Sequence, residues 1–350
     1  MAASSDVHGE GGIPDMAKLA QSLPLETRCL PFSLRQYGGF WLPEWILPGL
    51  EAVHTHFEPR ASDVFLASFP KSGTTWLKAL AFATVNRAEH PPSGEDHPLR
   101  RRGVHDCVNF FESTFAVSRE GGDVFAQLPS PRVLATHLPY SLLPERIVED
   151  SSDSDCRIVY ICRDPKDALV SGWLFTKKML AAAAATNGGI VEMLPPAPYT
   201  MEEALDLFCH GRCVTGPHWH HVLEYWEESR RRPEKVLFLR YEEMLREPAC
   251  NVKKLAEFMG CPFTDEEESA GVVDAIVDLC SFNQLTNLQV NKTGAMEGRL
   301  VARNELFFGK GVAGNWSNHM SPEMAARLDR IVEGALRGSG FTFASFDNSA

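Results

Sequence analysis

The 350-residue chain contains no C-x-x-C pair, no apolar run long enough to span a bilayer and no internal repeat. Its nine cysteines, at 29, 107, 156, 162, 209, 213, 250, 261 and 280, are odd in number and scattered. Neither a disulfide framework nor a zinc site is indicated by that spacing, so a reducing compartment is expected. Basic residues are outnumbered: 34 lysines and arginines face 46 acids, a formal charge of −12. Such a balance argues against non-specific binding of nucleic acid or of an anionic membrane, and an anionic ligand must be held by a local basic cluster. The stretch Met1 to Glu10 has neither a basic n-region nor an apolar core. The expectation is a soluble, cytoplasmic protein with no membrane partner. The length suffices for an ample hydrophobic core without staples.

What is present centres on Asp63-Val-Phe-Leu-Ala-Ser68, which reads as a buried strand. It runs into Phe69-Pro-Lys-Ser-Gly-Thr-Thr-Trp76 and then into a helical pattern with apolar residues at 76, 77, 80, 81 and 84. In a strand, tight loop and helix of this kind, Gly73 lets the backbone turn so that N–H groups and the helix N-terminus aim at one anion. Lys71 adds a charge, and Ser72, Thr74 and Thr75 add hydroxyls. The usual nucleotide loop has its lysine directly after the last glycine; here Thr74 takes that place, which disfavours a kinase. The string Phe69 to Leu77 resembles the 5′-phosphosulfate loop of the soluble sulfotransferases, which use 3′-phosphoadenosine 5′-phosphosulfate (PAPS). That resemblance implies cofactor-binding roles for Lys71, Ser72, Gly73, Thr74, Thr75 and Trp76.

Elsewhere, residues 1–20 read as a disordered tail, and the aromatic stretch Tyr37 to Pro48 either walls a pocket or covers the sheet. The strand candidate Pro131 to Pro139 places His137 near its carboxyl end, where ligands sit in open parallel sheets. A neutral imidazole there suits a general base, although a hydrogen-bonded strand-end residue is the plainer reading from position alone. The segment Thr136-His-Leu-Pro139 resembles the sulfotransferase catalytic histidine. Cys156 to Cys162 reads as a fully buried strand, followed by Arg163 and by Ser171 about 12 Å along a helix. These two match the positions of the family's 3′-phosphate motif; the alternatives are Arg163 paired with Asp164 or Asp167 and Ser171 turned into a helix groove. Tyr241, after the strand from 235, and Phe282 stand where the family contacts the adenosine base, with ordinary packing as the alternative for both. The loop Phe307 to Trp316 resembles the family's carboxyl-terminal donor loop and assigns Lys310 and Gly311 to the 3′-phosphate, but Gly309 replaces an expected arginine. His218, His220 and His221 lack an acid or cysteine partner at ligand spacing, so no metal is expected. Leu223-Glu-Tyr-Trp226 and Lys235 to Glu243 look most like the plant cytosolic branch.

The expected fold is therefore α/β, a single domain over 21–350. It has a central parallel sheet flanked by helices, strands near 63, 133, 157 and 235, and a variable insert or lid at 176–200. The resemblance implies sulfuryl transfer from PAPS to a hydroxyl of a small apolar acceptor, phenolic, flavonoid or hormone-like. His137 and Lys71 are the catalytic residues of that reading, and no metal takes part. A donor-impaired ligand binder and a metal-dependent nucleotide kinase are the alternatives. The acceptor's identity and the oligomeric state stay open.

Overall fold

In the computed structural model, residues 16–117, 121–149, 156–185, 199–295 and 303–344 are described. Seven strands form among them: β1 (Leu25–Glu26), β2 (Leu34–Tyr37), β3 (Phe40–Pro43), β4 (Val64–Ser68), β5 (Val133–Thr136), β6 (Arg157–Cys162) and β7 (Val236–Arg240). The last four make a parallel sheet in the order β5-β4-β6-β7, as expected for apolar runs with no polar alternation. All five residues of β4 are buried. Alternation then divides the core: Phe65 and Ala67 join one apolar cluster with Phe57, Phe111 and Leu134, while Val64 and Leu66 join another with Leu77, Leu80 and Val159. At the amino ends, Arg132 Nε donates to Asp63 Oδ1 at 2.7 Å in a fully enclosed pair. Loops at the opposite, carboxyl ends are left to carry chemistry.

Two expectations change, and one region takes a form that the sequence did not announce. The aromatic stretch at 37–48 opens with a hairpin turn into β3 and becomes helical from Glu44: β1, β2 and β3 form a small antiparallel sheet in which Gly38 and Gly39 both adopt positive φ, 56° and 84°. That is the demand of a two-residue hairpin turn, and no period-2 pattern announced it. Trp41 N donates to Gly216 O at 2.9 Å, pinning this sheet beside the helix His218–Arg231. The disordered tail expected over 1–20 ends sooner, because Met16–Ala20 is a helix with Met16 fully buried and its N–H bonded to Glu51 Oε2 at 3.0 Å. Residues 1–15 lie outside the described residues. The insert expected from 176 begins later, since the helix Pro165–Ala185 runs through the alanine stretch, alanine being the strongest helix former. Residues 186–198, where a lid was expected, also lie outside the described residues. Smaller shifts follow local chemistry: the helix expected over 201–213 stops at Cys209, ahead of Gly211 at φ +70°, and β7 ends at Arg240 so that Tyr241 opens a helix. Among the described residues, no helix is long and apolar enough to cross a membrane.

Candidate active site

A cavity of about 830 Å³ opens at the carboxyl ends of β4, β5 and β6. Its floor is the loop after β4. Gly73, the N-cap of the helix Thr74–Val85, has φ +107°, and a Cβ added there would stand 2.7 Å from Tyr241 Cδ2. Glycine is required on both counts. Lys71 also holds a left-handed backbone, φ +69°, a conformation that costs a non-glycine residue about 1 kcal/mol or more and is concentrated at functional sites. Its ammonium lies 4.2 Å from the Phe175 ring centroid. Burial, with Lys178 and Arg163 nearby, lowers the Lys71 pKa to about 7. Ser72 Oγ is buried with no partner. The Thr74 and Thr75 hydroxyls turn to Ser68 Oγ at 2.7 Å and His105 Nε2 at 3.3 Å.

His137 follows β5 and lines the same cavity. Its Nδ1 lies 2.7 Å from Ser68 O. A carbonyl only accepts, so Nδ1 carries the proton and Nε2 keeps its lone pair. The His137 backbone N–H donates to Glu112 Oε1 at 2.8 Å, and His221 Nε2 lies 3.1 Å from the His137 carbonyl oxygen. Burial lowers the His137 pKa to about 3, partly opposed by Ser68 O and reinforced by Lys78, His221 and Lys71. The ring is therefore neutral at physiological pH.

Arg163, just past β6, ties three segments together. One of its amino groups donates to Val312 O at 2.7 Å, the other to Lys71 O at 3.4 Å, and the guanidinium carbon sits 4.5 Å from the Tyr241 ring. The alternative pairing with Asp167 is also present, at 3.5 Å, but Asp167 is mainly engaged by the Gly314 and Trp316 N–H groups at 2.7 and 3.0 Å. Arg163 Nε remains buried without a partner. Ser171 neighbours the donor-loop glycine: a Cβ at Gly309 would lie 3.8 Å from Ser171 Oγ. Gly311, φ +68°, packs so closely on Phe282 that a Cβ would meet its Cγ at 2.5 Å. Trp76 and Tyr241 meet edge to face at 5.6 Å. Lys310 lines the cavity with Gly309, Gly311 and Phe282.

The donor-binding and catalytic candidates singled out from sequence all line this one cavity except Ser72, which sits in its floor loop. Away from the cavity, Arg100, Arg101 and Arg102 bond to Gly94 O, Asp96 and Asp106 O in a surface turn. The three histidines at 218, 220 and 221 do not converge. His221 bonds Tyr160 Oη at 2.9 Å, and His218 is enclosed by the Phe69, Phe208 and Phe343 rings. Among the described residues there is no group of three or more histidine, cysteine or acidic side chains placed to hold a metal. Sequence reasoning missed His105, Phe110, Glu112 and Phe175, all of which line the site. Phe175 had a legible signal, lying one helical turn beyond Ser171 on the same face.

The remaining wall is apolar, built from Phe32, Ile46, Phe69, Phe110, Phe208 and Cys213 among others. A charged, glycine-turned floor beside an apolar chamber with a neutral imidazole between them suits transfer of an anionic group to a hydroxyl. The sulfotransferase domain family matches residues 61–340, and the chain belongs to that family. It is a PAPS-dependent sulfotransferase of the plant type. It is 41% identical to cytosolic sulfotransferase 5 of Arabidopsis thaliana over 93% of this chain and 95% of that one. Among solved structures, it resembles an Arabidopsis thaliana sulphotransferase at 36% identity, with a TM-score of 0.70 and coverage of 93% and 94% of the two chains. A mouse sulfotransferase complexed with PAP is similar at 26% identity, with a TM-score of 0.61 and coverage of 88% and 95%.

Proposed function

We propose that this protein works in the cytosol and transfers the sulfuryl group of PAPS to a hydroxyl of a small, uncharged, largely apolar acceptor of phenolic, flavonoid or hormone-like type. The observation that carries the reading is the shared cavity in which the free Nε2 of His137 and the ammonium of Lys71 border an apolar chamber. The floor fits an anionic donor on its own evidence: a glycine cradle that a Cβ would fill, and polar atoms of Ser72 and Arg163 that are buried without partners. Bound PAPS would supply the activated sulfuryl group. Lys71, Ser72, Gly73, Thr74, Thr75 and Trp76 would hold its phosphosulfate end; Arg163, Ser171, Lys310 and Gly311 the 3′-phosphate; Tyr241 and Phe282 the base. His137 Nε2 takes the proton of the acceptor hydroxyl, Ser68 O fixes the imidazole orientation, and Lys71 neutralises charge that builds at the floor. These residues already supply the charge and proton acceptor that the reaction needs, so no metal is assigned a role.

The neutral acceptor follows from charge. Among the described residues, the lysines and arginines that line the cavity are Lys71, Arg163 and Lys310, on donor-facing segments. A carboxylate in the apolar chamber away from them would pay the full desolvation penalty. Glu112, pushed upward by burial, tends toward the neutral acid and does not repel an apolar ring.

The test pairs calorimetry with turnover for wild type and His137→Ala. Retained binding of 3′-phosphoadenosine 5′-phosphate (PAP), with kcat reduced by about 10²- to 10⁴-fold, is expected; undiminished turnover overturns the base assignment. A second reading, a ligand binder without turnover, is favoured by Gly309 alone, and it predicts that wild type binds PAP yet sulfates no phenol.

A further inference from the structure

We infer that Lys78 and His105 form a buried relay that fixes the hydrogen-bond polarity of Thr75, so that its single hydroxyl proton is donated into the phosphosulfate cradle. The inference rests on the donor reading of that loop. Thr75 and Lys78 are three residues apart on the helix Thr74–Val85 and so share a face. Both reach the same imidazole: Lys78 Nζ lies 3.0 Å from His105 Nδ1, and Thr75 Oγ1 lies 3.3 Å from His105 Nε2. Lys78 is fully buried, which is rare for a lysine without a specific task. Its Nζ also stands 3.4 Å from the Phe110 ring centroid.

The imidazole is held in place. Phe110 stacks on it at 5.6 Å and 16°, and Phe307 packs against it, tilted, at 4.2 Å. The same Phe110 ring meets the His137 ring at 4.7 Å. An ammonium has donors only. Lys78 therefore donates to Nδ1, which must be a lone pair, and the His105 proton must sit on Nε2. Nε2–H then donates to Thr75 Oγ1. A hydroxyl oxygen that accepts this bond keeps its own proton free, and the cavity is the side on which an acceptor would arrive. The reverse polarity, with Nδ1–H donating to a neutral amine, would draw the Thr75 proton back toward His105 and leave a lone pair facing an anion. Burial lowers both the Lys78 and His105 pKa values well below their usual ranges. That keeps the ring uncharged, and the negative charge of a bound donor favours the ammonium that enforces the first polarity. Lys78 and His105 are thus positioning residues acting through Thr75.

The test reads the PAP-bound protein first. In long-range ¹⁵N–¹H spectra, with the His105 signals assigned by their loss in His105→Gln, the expected form is protonated at Nε2 and bare at Nδ1. A ring protonated at Nδ1 overturns the relay. Calorimetry with PAP follows on wild type, Lys78→Met, Thr75→Val and the double variant. Each single substitution should weaken binding about threefold to tenfold, and the double variant should be no weaker than the worse single one. Lys78→Gln, which retains an N–H donor, should recover most of the loss. Unchanged affinity in Lys78→Met, or fully additive losses, would overturn the relay while leaving the donor site intact. No PAP binding by wild type overturns the donor reading and the relay together. If Lys78→Met does not fold, the wild-type tautomer decides.

Discussion

In the proposed reading, the donor half of the cavity takes its residues in motif order from the segments after β4 and β6 and from the 307–316 loop. The acceptor half gathers side chains from near residues 29–46, 105–117, 175 and 207–215. The donor half works through backbone: left-handed residues at 71, 73 and 311, N–H groups, and hydroxyls set by helix register. The acceptor half works through side-chain surface, with Phe69 and Phe208 packed edge to face and, among the described residues, no lysine or arginine of its own. Backbone recognition tolerates little change where Gly73 and Gly311 cannot accept a Cβ. Side-chain recognition is free to vary without disturbing the sheet that carries it. Such a division lets one donor chemistry serve different acceptors.

The largest effect should come from breaking the donor half alone. Gly73→Ala forces an alanine to φ +107° and drives its Cβ to 2.7 Å from Tyr241 Cδ2. The backbone term by itself costs roughly 1–3 kcal/mol, and displacement of Tyr241 adds to it. PAP affinity measured by calorimetry should fall by about a hundredfold or more, while the thermal shift given by a bound neutral phenol stays as in wild type. Loss of both would mean that the halves are not separable. A gain is expected next from Gly309→Arg. The open backbone beside Ser171 has room for a side chain, the nearest atom to an added Cβ being Ser171 Oγ at 3.8 Å. A new charge-assisted contact contributes about 1.5–3 kcal/mol at best, so PAP should bind about tenfold tighter, with acceptor KM unchanged. No gain would show that Lys310 and Arg163 already satisfy the 3′-phosphate.

The same division explains what could be read from the sequence. The strands near 63, 133, 157 and 235 were legible as apolar runs, and the structure begins them at Val64, Val133, Arg157 and Val236. Lys71, His137, Arg163 and Ser171 were singled out through their resemblance to sulfotransferase motifs, and each sits at a fixed offset from a strand end, so local sequence determines its place. His105, Phe110 and Glu112 were not, since short helices and turns between 98 and 117 carry no period and their position is set by packing against β5 and the helix Thr74–Val85. The β1–β3 sheet was hidden for a similar reason: Phe40–Pro43 is buried throughout and shows no alternation. Met16–Ala20 folds only because Met16 and Ala20 find a place in the core, a tertiary effect that composition does not reveal.

The pH dependence of donor binding offers a finer probe of the donor half. Lys71 has a pKa of about 7 in the ligand-free protein, and a bound anion stabilises its charged form, raising that value. Below pH 7 the ammonium is already present and PAP affinity should be flat. Above it each binding event must also take up a proton, so affinity should fall by up to tenfold per pH unit until the raised pKa is reached. Calorimetry from pH 6 to 9 should show this decline, with proton uptake visible as a dependence of the heat on buffer ionisation enthalpy. A flat profile would mean that Lys71 is charged throughout.

Phe175 allows the smallest and sharpest test, because it stands where the two halves meet. Its ring supports the Lys71 ammonium at 4.2 Å and faces Phe307 at 5.7 Å. Phe175→Leu keeps apolar bulk but removes the π face, forfeiting a cation–π contribution of about 0.5–2 kcal/mol. Because that contribution favours the charged lysine, its loss should lower the Lys71 pKa by roughly 0.4–1.5 units, at about 1.4 kcal/mol per unit. The onset of the affinity decline should then move below pH 7, with PAP binding at pH 6 weakened by no more than about fourfold and acceptor KM altered only severalfold. A shifted onset would show that a residue of the acceptor wall sets the charge state of the donor lysine, so that acceptor variation at this position is constrained by donor chemistry. An unmoved onset would leave burial and the neighbouring cations as the whole cause of the lowered pKa, and Phe175 would be as free to vary as the rest of the apolar wall.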